Sequence, residues 1–149
     1  MKPIINRIFI DSSVLIEPLH GRKTEFYLNM VLNKSNQCCI NSVIVSEYLY
    51  HFLGSQNLGS PLAVQKKEQI NIALSDYFNE SPLSHFEFID TTAGIVELTP
   101  QLMAIYNLLP NDAIILATCK LHGITTLASH DTDFIIPCKQ EGITLLIEE

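Results

Sequence analysis

The chain has 149 residues, and its 16 acidic against 9 basic side chains give a net charge of −7. Hydrophobic residues make up 47% of it and charged residues only 17%, which argues against intrinsic disorder and fits one domain over residues 1–149. No apolar run approaches the roughly 18 residues of a membrane span, and the acidic balance disfavours a protein that coats duplex DNA by charge alone.

The predicted elements of the first half alternate between strand and helix. Apolar runs predict the strands, and capping residues or apolar residues at helical spacing predict the helices. In chain order they are a strand over residues 7–10, a helix that is capped by residues 11–13 and continues through Val14, Leu15 and Leu19 to a turn over 20–23, a helix over residues 24–33, a strand over residues 38–40 and a helix over residues 42–52.

The second half continues the same alternation after a polar loop over residues 54–61. Its predicted elements are an amphipathic helix over residues 62–78, a strand over 86–89, a helix over 91–108, an apolar helix over 111–121, and strands over 125–128 and 143–147. Thr99-Pro100 predicts a kink or break within the helix over 91–108, with Thr99 as a second N-cap. Strands that alternate with helices predict an α/β layer with a mostly parallel sheet.

The four cysteines, Cys38, Cys39, Cys119 and Cys138, form no CxxC pair and no cluster with zinc spacing. Each is expected to be a small buried hydrophobe in a reducing cytoplasm. The N-terminal residues have no apolar stretch and no cleavage site of a signal peptide, which agrees with that compartment.

Five acids stand where a parallel sheet places its ligand site. Asp11 follows the first strand, Glu47 lies in the helix after the second, Asp112 begins the apolar helix, and Asp131 and Asp133 follow the fourth strand. Ligands bind outside the carboxyl ends of such strands, so we expect these side chains to converge. Carboxylates that share one site need a cation, and all-oxygen ligands select Mg²⁺ or Mn²⁺ over zinc.

Each acid alone also has a structural interpretation. Asp11 and Asp112 stand where an N-cap or a first-turn acid stabilises a helix, and residues 131–133 form an Asx-rich turn pattern. Glu47 has apolar neighbours, and a carboxylate is seldom buried there unless it is paired. The acids therefore indicate a site only as a set.

Four segments of the chain each carry one or two of these acids: residues 8–16 (IFIDSSVLI), 41–47 (NSVIVSE), 109–118 (LPNDAIILAT) and 126–134 (TLASHDTDF). In order and spacing these segments resemble the motifs of the PIN domain family, the nuclease fold shared by VapC-type toxins and RNA-processing nucleases. The segment around Asp112 is the most specific of them, and residues 142–146 resemble the closing strand of the family.

The resemblance implies a three-layer α/β/α sandwich around a five-stranded, mostly parallel sheet. It implies metal-dependent hydrolysis of RNA phosphodiester bonds, in which Asp11, Glu47, Asp112 and Asp131 bind Mg²⁺ or Mn²⁺ and position the attacking water. Two further residues take supporting roles: Asp133 as an additional ligand and Ser12 as a hydroxyl that orients the ligands.

We therefore predict a ribonuclease that is the toxin of a type II toxin–antitoxin pair, with a protein antitoxin, a homodimeric state and no membrane partner. Three alternative hypotheses are a non-catalytic PIN-like module that binds RNA or protein, a housekeeping RNA-processing nuclease, and a flavodoxin-like phosphoacceptor domain. The last needs a lysine that faces the acids, and neither Lys120 nor Lys139 suits that position. His130 is expected to be a satisfied surface histidine, and residues 54–81 match no motif.

Overall fold

The centre of the protein is a sheet of five short parallel strands. The computed structural model describes residues 5–148. The strands are β1 (Asn6–Ile10), β2 (Asn36–Ile40), β3 (Glu87–Phe88), β4 (Thr126–Ala128) and β5 (Thr144–Leu146). Their order across the sheet is β3-β2-β1-β4-β5, and every neighbouring pair is parallel. The predicted five-stranded parallel sheet is confirmed.

Helices cover the sheet on both sides. Between residues 5 and 148 they are α1 (Ser12–Leu19), α2 (Thr24–Val31), α3 (Ser42–Gly54), α4 (Pro61–Lys66), α5 (Ile70–Ala73), α6 (Ser75–Glu80), α7 (Ala93–Tyr106), α8 (Pro110–Leu121) and α9 (Ile135–Glu141). Helices before β3 pack on one another, α1 against α2 and α3, while α8 packs against α7 and α9 and also contacts α3. Connections between parallel strands are right-handed, and with the order β3-β2-β1-β4-β5 this rule puts the helices before and after β3 on opposite faces of the sheet, as in the predicted α/β/α sandwich.

The core lies between these layers and follows the apolar runs of the sequence. Phe9 is fully buried and pairs in register with both Cys39 of β2 and Leu127 of β4. The cysteines Cys38, Cys39, Cys119 and Cys138 are all buried and free, as predicted. Burial raises the pKa of the Cys38 thiol to about 11, so it stays protonated at neutral pH.

The single helix predicted over residues 62–78 is wrong, because this segment forms the three short helices α4, α5 and α6. Its buried anchors are Val64 and Ala73, which are nine positions apart. At roughly 100° per residue, one straight helix would point these two side chains in opposite directions. The break after α4, where Glu68 takes a positive φ of 56°, lets both reach the core.

No break occurs at Thr99-Pro100, and the prediction of Thr99 as a second N-cap is wrong, because α7 runs through Pro100 from Ala93 to Tyr106. Thr92 is the N-cap, and Thr99 instead donates its hydroxyl to the carbonyl of Ile95 at 2.7 Å. Thr99 is buried and Pro100 is exposed, so the helix keeps its core contacts while the proline ring faces solvent.

Within residues 5–148, no helix taken singly has both the length and the apolar character needed to cross a membrane. The helices α7 and α8 pass that test only as a pair, and the chain bends by 115° between them.

Candidate active site

The candidate site lies at the carboxyl ends of β1 and β4, where the strand order of the sheet reverses. Strands β1 and β4 are neighbours, and the sheet continues from β1 toward β2 on one side and from β4 toward β5 on the other. Such a divergence opens a crevice beyond the carboxyl ends of the strands. Asp11 directly follows β1 and donates its backbone N–H to the carbonyl of Ala128 at 2.9 Å, so it lies where β1 and β4 end side by side.

Three carboxylates from two segments converge there. One oxygen each of Asp112, Asp131 and Asp133 lies within 4.8 Å of the others. Asp112 and Asp131 are half-buried and Asp133 is exposed. Burial raises the pKa of Asp112 to about 7, and the negative charges of Asp131, Asp11, Glu47 and Asp133 act in the same direction. An all-carboxylate donor set with mutual repulsion fits Mg²⁺ or Mn²⁺, which prefer oxygen ligands.

Asp11 lies beside this cluster and is held by two hydroxyls. Ser13 Oγ and Ser129 Oγ each donate to Asp11 Oδ2 at 2.7 Å. In turn, the backbone N–H of His130 donates to Ser13 Oγ and that of Asp131 donates to Ser129 Oγ, both at 3.0 Å. The two hydroxyls therefore link Asp11 to the loop that carries Asp131. Burial raises the pKa of Asp11, and both serine hydrogen bonds oppose that shift.

Glu47 is held on both of its carboxylate oxygens. Ser12 Oγ donates to Oε2, and Asn111 Nδ2 donates to Oε1 at 2.7 Å. Ser12 is buried in the first turn of α1, and Asn111 is exposed in the first turn of α8. Glu47 is thus fixed between the helix that follows Asp11 and the helix that carries Asp112.

Asn41 fixes the start of α3, the helix that carries Glu47. This fully buried side chain caps α3 by accepting from the N–H of Ile44 at 3.3 Å. Its Nδ2 donates to Thr118 Oγ1 in α8 at 3.2 Å, and that hydroxyl donates to the carbonyl of Ile114 at 2.7 Å. The two helices that carry Glu47 and Asp112 are therefore joined across the sheet edge.

Comparison with known proteins identifies the fold. The family model of the PIN domain matches residues 8–139. The chain belongs to the PIN domain family. It is 32% identical over 118 residues to Ribonuclease VapC2 of Methanocaldococcus jannaschii, which covers 78% of this chain and 79% of that protein. The resemblance to VapC-type proteins is thereby confirmed.

Solved structures share this architecture. One is a toxin–antitoxin complex from Klebsiella pneumoniae, with a TM-score of 0.62, 24% identity, and coverage of 93% of this chain and 95% of that one. Another is VapBC2 from Rickettsia felis bound to a promoter DNA fragment, with a TM-score of 0.64, 18% identity, and coverage of 96% and 99%. At these identities the likeness establishes the fold.

The structural interpretations of single acids are only partly right in this PIN domain. Asp11 occupies the N-cap position of α1 but its side chain caps no helix N–H, whereas Asp112 lies in the first turn of α8, as the structural interpretation expected, with Leu109 as the N-cap. The Asx turn is present, because Asp131 Oδ1 accepts the backbone N–H of Asp133 at 2.9 Å. That bond orients Asp131 within the acidic cluster, so the turn and the cluster coexist.

Four polar residues at the site were not predicted from the sequence: Ser13, Asn41, Asn111 and Ser129. Three of them stand within two positions of a predicted acid, and serine or asparagine there is itself the available signal. The sequence does not show which acid each one contacts, because Ser129 and Asn111 bond to acids that are distant in the chain.

The expectation that His130 is a satisfied surface histidine is wrong. Its ring packs against Phe26 with 5.0 Å between the centroids, and both ring nitrogens are buried. Neither nitrogen has a hydrogen-bond partner among residues 5–148. Burial lowers the pKa of His130, and the positive charge of Lys23 adds to that shift. The side chain therefore packs against Phe26, with both ring nitrogens away from solvent.

Proposed function

We propose that this PIN domain is a ribonuclease that uses Mg²⁺ or Mn²⁺ to hydrolyse RNA phosphodiester bonds. The observation that carries the proposal is the convergence of Asp112, Asp131 and Asp133 at the divergence of the sheet, with Asp11 and Glu47 held beside them. The 32% identity to Ribonuclease VapC2 over 79% of its length supports the same reaction.

The proposed roles follow from the positions of the acids. Asp11, Glu47, Asp112 and Asp131 would hold the ion, and Asp133 would support them from the exposed side. When bound, the ion would polarise a phosphoryl oxygen and activate a water as nucleophile. Asp112 must give up its proton to act as a ligand. Because its pKa is about 7, the charge of Asp112 at neutral pH depends on a nearby cation.

Hydroxyl groups orient the two acids that lie beside the cluster. Ser12 would orient Glu47 from one side, and the hydroxyls of Ser13 and Ser129 would fix Asp11 Oδ2. Fixing one oxygen leaves the other oxygen of Asp11 for the ion. Such supporting contacts set the geometry of a metal site as much as its ligands do.

We further propose that the protein is the toxin of a type II pair, controlled by a small protein antitoxin, and that it forms a homodimer in the cytoplasm. Similar folds occur in the toxin–antitoxin complex from Klebsiella pneumoniae and in VapBC2 from Rickettsia felis. Four free, buried cysteines agree with a reducing compartment. A search of the neighbouring DNA tests the toxin role: a small adjacent open reading frame would support it, whereas the absence of one would favour housekeeping RNA processing.

Two rival functions have less support. A flavodoxin-like phosphoacceptor domain would have the strand order 2-1-3-4-5. The order here is β3-β2-β1-β4-β5, so that fold is excluded. A non-catalytic module has no need for five acids around one crevice, and a failure to bind millimolar Mn²⁺ in calorimetry is the result that would favour it.

The decisive experiment replaces Asp112 with asparagine and measures Mn²⁺-dependent cleavage of RNA. Cleavage is expected to be lost, because the substitution removes one anionic ligand from the centre of the cluster, and EDTA is expected to abolish the wild-type reaction. Asp76→Asn, at an exposed acid in the first turn of α6, is the matched control and should cleave normally. Cleavage that survives both Asp112→Asn and EDTA would overturn the proposal.

A further inference from the structure

We infer that Asn111 is a positioning residue for the metal-dependent reaction, acting by holding the carboxylate of Glu47. The inference rests on the proposed function for its catalytic consequence. The link between the two side chains is itself visible in the protein without any ion, since Asn111 Nδ2 donates to Glu47 Oε1 at 2.7 Å.

The contact joins residues that are 64 positions apart and belong to opposite layers of the sandwich. Glu47 lies in α3 and Asn111 in α8, next to Asp112. A glutamate side chain has several rotatable bonds, and the negative charges of Asp11 and Asp112 repel it from the crevice. A neutral amide donor opposes that repulsion without adding positive charge, so it keeps Glu47 beside the acids and leaves the cluster attractive to a cation.

Asn111 has no structural task that explains this orientation. It follows Pro110 inside the first turn of α8, and Leu109 occupies the N-cap position. The amide does not cap the helix, and the side chain is exposed, so it fills no part of the core. The tie between α3 and α8 as structural elements is supplied by the buried pair Asn41 and Thr118.

Ser12 completes the arrangement from the other side. Its hydroxyl donates to Glu47 Oε2, while Asn111 donates to Oε1. With a donor on each oxygen, the plane of the carboxylate is fixed, and its remaining lone pairs face a constant direction. Loss of Asn111 frees one oxygen only, so we expect a graded loss of function rather than unfolding.

The test measures Mn²⁺ binding by calorimetry on the full chain without RNA, for the wild type, Asn111→Ala, Glu47→Ala and the double variant. Asn111→Ala is expected to weaken Mn²⁺ binding about 10-fold, the usual effect of losing a residue that orients a ligand. In the Glu47→Ala background the same change should alter the affinity less than about 2-fold, because the residue it acts through is absent. Asn79→Ala, at an exposed asparagine on α6, is the control.

Kinetics separate positioning from substrate binding. At saturating Mn²⁺, Asn111→Ala should lower kcat about 10-fold and leave the KM for RNA unchanged. An equal loss of Mn²⁺ affinity in both backgrounds, or no loss in either, overturns the inference. If Asn111→Ala does not fold, Asn111→Gln displaces the same amide by one methylene, and its Mn²⁺ affinity is measured in the wild-type and Glu47→Ala backgrounds instead. A wild type that binds Mn²⁺ but cleaves no RNA defeats the proposed function, whereas the calorimetric cycle still tests the link to Glu47.

Discussion

At the scale of single residues, Asp112 combines half-burial with the charges of four neighbouring acids, and its pKa of about 7 expresses the cost of ionising it in the absence of a cation. In the unfolded chain the same group titrates near its ordinary pKa of 3.8. Between these two values the folded protein binds the extra proton. Stability therefore falls as the pH rises through this interval and stays reduced above it.

The direction of this pH dependence of stability gives the first prediction. Asp112→Asn removes the ionisation cost, so it should raise the melting temperature of the metal-free protein at about pH 8, where the wild-type group is charged, and much less at about pH 4, where the folded wild type holds the proton. Thermal unfolding in the presence of EDTA at the two pH values measures the difference. An equal gain at both would show that the stabilisation does not come from this charge. The same substitution is expected to abolish cleavage, so Asp112 exchanges stability for function.

The convergence of the acids could be predicted from the sequence only as a set, because each acid alone has a structural interpretation but all of them lie near the carboxyl ends of strands. The residues that hold them could not be predicted, since their partners lie far away in the chain: Asn111 meets Glu47 across 64 positions and Ser129 meets Asp11 across 118. The prediction for His130 was wrong for a related reason. Its burial depends on Phe26 of α2, which no local pattern brings to it.

At the scale of elements, the end of β1 and the loop after β4 are tied by a short hydrogen-bonded chain. It runs from the N–H of Asp131 through Ser129 Oγ to Asp11, and from the N–H of His130 through Ser13 Oγ to the same oxygen. Neighbouring parallel strands fix the backbone, and these hydroxyls carry that alignment onto the side chains. The two elements thus present Asp11 and Asp131 in a constant relation.

The second prediction concerns removal of each serine hydroxyl that donates to Asp11. Ser13→Ala and Ser129→Ala should each weaken Mn²⁺ binding about 10-fold, since each takes a donor from buried Asp11 and frees the loop that carries Asp131. Because these hydrogen bonds oppose the rise in the pKa of Asp11, their loss should also shift Mn²⁺ binding toward higher pH. Calorimetry across pH measures both effects, with Ser75→Ala on exposed α6 as the control. Unchanged affinity in both serine variants would contradict the role of the chain.

Elements with one uniform pattern were predicted correctly, whereas those with mixed signals were not. The apolar run of β1 predicts only a strand and the long apolar segment of α8 predicts only a buried helix, and both form as predicted. The helix α9 was not predicted, and Pro137 lies within it. The proline is tolerated in the first turn, where its missing N–H has no helical partner in any case. The prediction for residues 62–78 was wrong because their helical period conceals a change of direction between Val64 and Ala73.

At the scale of the whole molecule, most of the excess of acidic over basic residues comes from the site. Five of the 16 acids belong to the crevice, and without them 11 acids face 9 bases, which leaves −2. Those five are Asp11, Glu47, Asp112, Asp131 and Asp133. The acidic balance therefore argues against charge-driven coating of duplexes and is compatible with an RNA substrate that approaches a metal-neutralised crevice.

The third prediction concerns how an ion at this crevice affects the entire chain. The acids come from both layers of the sandwich, Glu47 from α3 on one side and Asp112 from α8 on the other. An ion held between them binds the folded protein only, and it should therefore stabilise one cooperative unit, by about 1.4 kcal/mol at a concentration roughly ten times its Kd. In calorimetric melts, Mn²⁺ should move a single transition to higher temperature without splitting it.

The matched variants decide where that stabilisation originates. Asp76→Asn on α6 should keep the full shift with Mn²⁺, whereas Asp112→Asn should lose most of it because the central ligand is gone. If Mn²⁺ moved only part of the melting curve, the two layers would unfold separately, and the proposal of one domain over residues 1–149 would be wrong. If Asp112→Asn shifted as far as the wild type, the ion would be bound elsewhere. A single transition that responds to Asp112 alone ties the fold of the sheet edge to the stability of the whole chain.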